Sequence, residues 1–118
     1  MSAPAADCVF CRIVRKELPA KILFENERLL AFEDVRPKAP VHVLVIPKDH
    51  FASLNDAPEG AGALLGEILL RARAIAREKG IGETGYRIVL NTARDSGQEV
   101  FHIHFHILGG RPMGWPPG

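Results

Sequence analysis

This chain is short of cysteine, of any excess of one charge, and of long apolar runs, and each shortage removes a class of protein. Its only two cysteines, Cys8 and Cys11, stand three residues apart. That is too few for the disulfide framework of a small secreted domain, and in a reducing compartment a Cys-x-x-Cys pair is a metal half-site or a redox pair. Lys and Arg number 15 against 14 Asp and Glu, with no block of like charge. Composition therefore offers no electrostatic case for DNA, RNA or an acidic membrane surface, and a small-molecule ligand is expected. No stretch approaches the roughly 18 consecutive apolar residues of a membrane span, and the opening Met-Ser-Ala-Pro-Ala-Ala-Asp has neither the basic nor the apolar region of a signal peptide. A cytoplasmic location is expected. With 118 residues and no internal repeat, the chain has room for one domain, large enough to bury a core unaided.

What the chain does have is histidine in one place. His102, His104 and His106, three of its five histidines, alternate with Phe101, Ile103, Phe105 and Ile107. A β-strand sends successive side chains to opposite faces, so the spacing predicts a strand over residues 100–108. Its Phe/Ile set would be buried, with three imidazoles roughly 6.5 Å apart along the other face. Imidazole is nucleophile, general base and metal ligand near neutral pH. Two chemistries use such a row: zinc ligation with water activation, or a nucleophilic histidine whose neighbours orient it and handle the leaving group. The preceding loop, residues 91–98, offers an amide, hydroxyls and glycine-exposed backbone N–H groups, donors suited to phosphoryl oxygens.

Elsewhere the pattern predicts a short helix over residues 8–16, closed by Pro19, and strands at 22–25 and 29–34 around the turn Asn26-Glu27-Arg28. An apolar run at 41–46 reads as a central strand covered on both faces, with His42 its odd member. Asp56-x-x-Glu59 resembles a capping box opening a long helix that Gly80 stops, with Arg71, Arg73, Arg77, Glu78 and Lys79 on its wet face. A further strand is expected at 86–91. The order implies an α+β fold: about five strands in a mainly antiparallel sheet, one short helix, and one long helix on one face. Residues 1–6 are expected to be a flexible N-terminus, 7–110 the domain, and 111–118 a proline-rich tail whose Trp115 is either mobile or docked on a neighbouring surface.

The segment His102-Ile-His104-Phe-His106-Ile resembles the motif that names the histidine triad family. Asp7-Cys8-Val9-Phe10-Cys11-Arg12-Ile13, Ala31-Phe32-Glu33-Asp34-Val35-Arg36-Pro37, His42-Val43-Leu44-Val45-Ile46-Pro47-Lys48-Asp49-His50, Gly97-Gln98 and the ending Gly109-Gly110-Arg111-Pro112-Met113-Gly114-Trp115-Pro116-Pro117-Gly118 are similar to its nucleotide-binding branch of purine nucleoside phosphoramidases. The resemblance implies a histidine triad fold and hydrolysis of adenosine or guanosine 5′-phosphoramidates through a nucleotidyl-histidine, with no catalytic cofactor. Dinucleoside polyphosphate hydrolysis, or a nucleotide-binding adaptor with incidental hydrolysis, are the alternatives. It implies His104 as nucleophile, His106 at the phosphate and leaving group, and His102 and His42 in support. Asn91, Gly97 and Gln98 would hold phosphate, Asp34 the ribose, and Phe32 and Val35 the base. It also implies a homodimer with Trp115 reaching toward the partner's site, and a structural zinc on Cys8, Cys11, His50 and His102, as in some relatives. Glu99 departs from the pattern: eukaryotic relatives carry a serine there that helps the leaving group. A carboxylate cannot donate as a hydroxyl does unless protonated, so leaving-group preference is expected to differ.

Overall fold

Residues 29–32 and 43–46 are apolar without a break, which no strand exposed on one face tolerates, so both must lie inside a sheet covered twice. The computed structural model, which describes residues 7–118, has that arrangement; the flexible segment expected at 1–6 lies outside the described residues. Helix α1 (Val9–Val14) is followed by strands β1 (Ile22–Glu25), β2 (Leu29–Glu33) and β3 (Val41–Pro47), then helix α2 (Gly62–Glu78), β4 (Tyr86–Val89) and β5 (Phe105–Gly109). The five strands form one sheet in the order β1-β2-β3-β5-β4, every neighbouring pair antiparallel. The α+β fold expected from the sequence is thus the fold observed. Among the described residues no helix is long and apolar enough to cross a membrane.

Odd-numbered residues of the central strands face α2. Leu29, Ala31, Val43, Val45, Phe105 and Ile107 pack with Ile68, Ala72, Ile75 and Ala76 of the helix. Even-numbered Leu30, Phe32, Leu44 and Ile46 form a second cluster on the other face, closed by Phe10 and Ile13 of α1. The same parity carries Asp34, His42 and His106 to the α1 side, so one small helix covers half a face and leaves the rest for a site.

Three expectations need correction. The histidine strand begins at Phe105, since Val45–Phe105 is the last β3–β5 pair; beyond it Pro47 has no N–H to give a ladder. Ile103 N–H donates instead to Phe51 O at 2.9 Å. His102 and His104 therefore precede the strand, yet the alternation persists: Ile103 joins the α2 core, while Phe101, expected inside, is 55% exposed. Asp56-x-x-Glu59 does not cap α2. Ser53 caps a 3-10 turn at Leu54–Asp56, accepting from Asn55 N–H at 3.1 Å and donating to Asp56 Oδ2 at 3.0 Å, and α2 starts at Gly62 without a side-chain cap. Finally α1 stops well before Pro19, where Lys16 turns left-handed at φ 64°.

Gly110, just past β5, has φ +89°, and a Cβ there would stand 2.9 Å from Pro40 Cβ. Gly110→Ala is expected to cost about 1–3 kcal/mol from the left-handed strain and the displaced ring. Thermal melting checks this, with Gly60→Ala, where a Cβ meets nothing within 4 Å, showing no such loss.

Candidate active site

His104 is buried in a stretch with no ladder to hold it, so its side chain must find a partner nearby. It does so at the His102 carbonyl, 2.8 Å from His104 Nδ1. A carbonyl only accepts, so Nδ1 carries the proton and Nε2 is left bare. His104 lines a cleft of about 760 Å³, and the edge of Phe10 lies against its ring, centroids 5.2 Å apart. Burial pushes its pKa below the ordinary value. A neutral imidazole with an unblocked nitrogen is the form that can act as a nucleophile.

The neighbouring histidines are set in the same way. Lys38 backbone N–H donates to His42 Nδ1 at 3.0 Å, so the His42 proton sits on Nε2. That nitrogen lies 2.9 Å from His106 Nδ1 and 3.4 Å from Asp34 Oδ2. His106 Nδ1 is therefore the acceptor, and its own proton is on Nε2. Burial, reinforced by His104 and His42, pushes His106 down to about 4; burial also lowers His42, against the pull of Asp34. The row thus alternates in function: His104 offers a lone pair and His106 an N–H, 4.9 Å apart between ring centroids.

Around them the cleft is lined by Phe10, Ile13, Phe32 and Leu44, which pack as one apolar cluster, and also by Asn91, Gly97 and Glu99. Asp34 lies at the edge and has two tasks, since Oδ1 also accepts from Arg36 N–H at 2.8 Å and caps the turn after β2. Val35 lines the mouth and is otherwise exposed. Gln98 and Gly97, expected at the phosphate, are both bonded within the loop. Gln98 is buried with its carboxamide spent inside the loop: Oε1 accepts from Ala93 N–H at 2.8 Å, and Nε2 donates to Ala52 O at 2.7 Å and Val100 O at 3.0 Å. Gly97 N–H donates to Arg94 O. Both residues brace the loop, and Gly97 also lines the cleft. Trp115 is 81% exposed and outside the cleft, its tail held where Arg87 donates to Gly114 O at 2.9 Å.

The α1 wall was the part that sequence reasoning did not identify as site. Its signal was present in the spacing of Val9, Phe10 and Ile13, but nothing local says that this face folds over the histidines.

A second cluster lies behind the first. One ligand atom from each of Cys8, Cys11, His50 and His102 falls within 4.8 Å of all the others. Nδ1 of His102 is 3.5 Å from Cys8 Sγ, 3.6 Å from Cys11 Sγ and 3.1 Å from His50 Nδ1, and Cys11 Sγ is 3.3 Å from His50 Nδ1. Tetrahedral zinc with ordinary bond lengths sets S···N edges of about 3.5 Å and N···N edges of about 3.3 Å. His102 Nε2 donates to Pro47 O at 2.9 Å, which leaves Nδ1 bare and orients the ring as metal-bound histidines require. The residues fit zinc. One zinc per chain is expected by elemental analysis of the purified protein, and stripping it with a strong chelator is expected to lower the melting temperature by several degrees.

A HIT domain family model matches residues 15–113. A HIT family hydrolase of Legionella pneumophila is 51% identical, with TM-score 0.92 over 95% of this chain and 100% of that one. A histidine triad nucleotide-binding protein of Candida albicans is 33% identical, with TM-score 0.80 over 93% of this chain and 83% of its own. A zinc-bound histidine triad family protein of Mycobacterium smegmatis is 39% identical, with TM-score 0.78 over 89% and 76%. With its alternating imidazoles on the face that α1 half covers, this chain belongs to the HIT domain family.

Proposed function

We propose that the protein is a hydrolase of purine nucleoside 5′-phosphoramidates, releasing a nucleoside monophosphate and an amine. The observation that carries this reading is the opposed polarity of His104 and His106, a bare nitrogen beside an N–H, in a cleft lined by an apolar cluster together with polar residues. The hydrolase and nucleotide-binding relatives support it.

The apolar cluster formed by Phe10, Ile13, Phe32 and Leu44 takes the base, and Asp34 accepts from ribose hydroxyls, as a carboxylate does well. That places the α-phosphorus over His104. Nε2 attacks, the P–N bond breaks, and the nucleotide is held on His104 while Nδ1–H stays bonded to the His102 carbonyl. His106 Nε2–H donates to the departing nitrogen, and Asn91, which also lines the cleft, contacts the phosphoryl oxygens. Water then attacks phosphorus and frees His104. Over both steps one water is consumed: its proton leaves with the amine and its hydroxyl completes the phosphate. Gly97 and Gln98 serve by fixing the loop that carries Glu99 to the cleft.

Zinc on Cys8, Cys11, His50 and His102 would supply a cross-link between α1 and the segment before β5, not chemistry at phosphorus. The open edge of β4, with exposed Leu69 and Leu70 of α2 and exposed Trp115, supports assembly as a homodimer, and we place the protein in the cytoplasm.

His104→Gly is expected to lower kcat/KM for adenosine 5′-phosphoramidate by at least about 10³-fold, or about 4 kcal/mol of transition-state stabilisation, with its zinc content unchanged. Equal rates for wild type and variant would remove His104 as nucleophile. Faster turnover of a dinucleoside polyphosphate than of the phosphoramidate would move the assignment to that substrate.

A further inference from the structure

The nucleophile stands outside the sheet, and what holds it there belongs to the metal cluster. The β3–β5 ladder ends at Val45–Phe105. Before that pair, the segment is anchored by Ile103 N–H to Phe51 O, Gln98 Nε2 to Val100 O, and the contacts of His102. His102 is fully buried and is engaged at three points: Nε2–H on Pro47 O, Nδ1 among the cysteine sulfurs and His50, and its carbonyl on His104 Nδ1. Pinning both ring nitrogens stops the ring from turning, and the carbonyl that selects the His104 tautomer is held with it.

A second link runs through α1. That helix has six residues, far below the length at which a helix persists by itself. Cys8 and Cys11 bracket Phe10, whose ring edge meets His104 at 5.2 Å, Phe32 at 5.5 Å and His102 at 6.0 Å between centroids. Ligation of the two cysteines therefore also fixes the wall of the cleft.

The geometry points to a positioning role for the Cys8–Cys11–His50–His102 cluster: zinc loading sets the orientation of His104 through the His102 carbonyl and sets nucleotide affinity through Phe10. His102, His50 and the cysteines are positioning residues that touch no reacting atom. The kinetic half of this inference rests on the phosphoramidase reading; the binding and spectroscopic half does not.

The experiment compares zinc-loaded wild type, chelated wild type, Cys8→Ser and His50→Gln, all well below their melting temperatures. Neither substituted side chain lines the cleft. Three quantities are read: the dissociation constant for adenosine monophosphate by calorimetry, the ¹H–¹⁵N spectrum of the His104 ring, and kcat for the phosphoramidate. The zinc-loaded protein is expected to show one Nδ1–H form of His104. Loss of zinc is expected to give mixed or broadened ring signals, about 10-fold weaker nucleotide binding and at least 10-fold lower kcat. Zinc restores the chelated wild type, and His50→Cys, which keeps a ligand, behaves as wild type. Should Cys8→Ser fail to fold, chelated wild type and His50→Gln carry the test. A fall in melting temperature alone, with ring spectrum, affinity and kcat unmoved, overturns the proposal. If no form hydrolyses the phosphoramidate, the functional reading fails, while the spectrum and affinity still decide the coupling.

Discussion

The hydrogen bond from His104 Nδ1–H to the His102 carbonyl is the constraint on which the rest of the site depends. Imidazole has two tautomers of similar energy, and only one leaves Nε2 bare toward the cleft. The other would set a lone pair against a carbonyl oxygen in a buried place, leaving that polar pair unsatisfied at about 1–3 kcal/mol. At 1.4 kcal/mol per tenfold, that biases the tautomers by about 5- to 150-fold, enough to make one form dominant. Burial acts in the same direction by keeping the ring neutral. The same logic runs from Lys38 N–H through His42 to His106 and ends in a proton where His104 ends in a lone pair. Two adjacent imidazoles thus take opposite roles because two backbone groups, a carbonyl and an amide, face them.

Such an arrangement needs a dry place that is not wholly closed. The sheet gives one face entirely to α2. The other is divided between a small apolar cluster under α1 and the cleft. Histidine at even positions of β3 and β5 is tolerated there because each ring has a partner; among the described residues no buried side-chain nitrogen or oxygen lacks one. The loop that brings Gly97 and Glu99 to the cleft is held under strain: Ala93 adopts φ 68° and ψ −170°, a region that favours glycine. The Gln98 carboxamide, bonded to Ala93, Ala52 and Val100, offsets that cost from inside the loop.

Much of this was legible in the residues. Parity told which side chains share a face, and it held for Phe32, Asp34, His42 and the histidine row even where the ladder had ended. A continuous apolar run identified β3 as doubly covered. Three things depended on contacts that sequence spacing does not carry. A strand period cannot show where hydrogen bonding stops, and here Pro47 and Phe51 O decide it. A glutamine beside a glycine reads equally as ligand donor or loop brace, and only the acceptors around Gln98 choose. An acid three residues before a glutamate reads as a helix cap, but Ser53 had already claimed Asp56. The set of four candidate zinc ligands came from family resemblance, because positions 8, 11, 50 and 102 have no local pattern joining them.

The small size of α1 and the lack of disulfides bear on one another. A helix of six residues with two buried apolar side chains gains too little to fix its own position, and it forms a wall of the cleft. A disulfide between Cys8 and Cys11 would close only a local loop and tie the helix to nothing else. Ligation with His50 and His102 instead ties it to the segment after β3 and the segment before β5, the two stretches where the sheet has just ceased to hold the chain. The two cysteines therefore do most for the fold at the point where the ladder does least, in a cluster whose His102 supplies the carbonyl that orients His104.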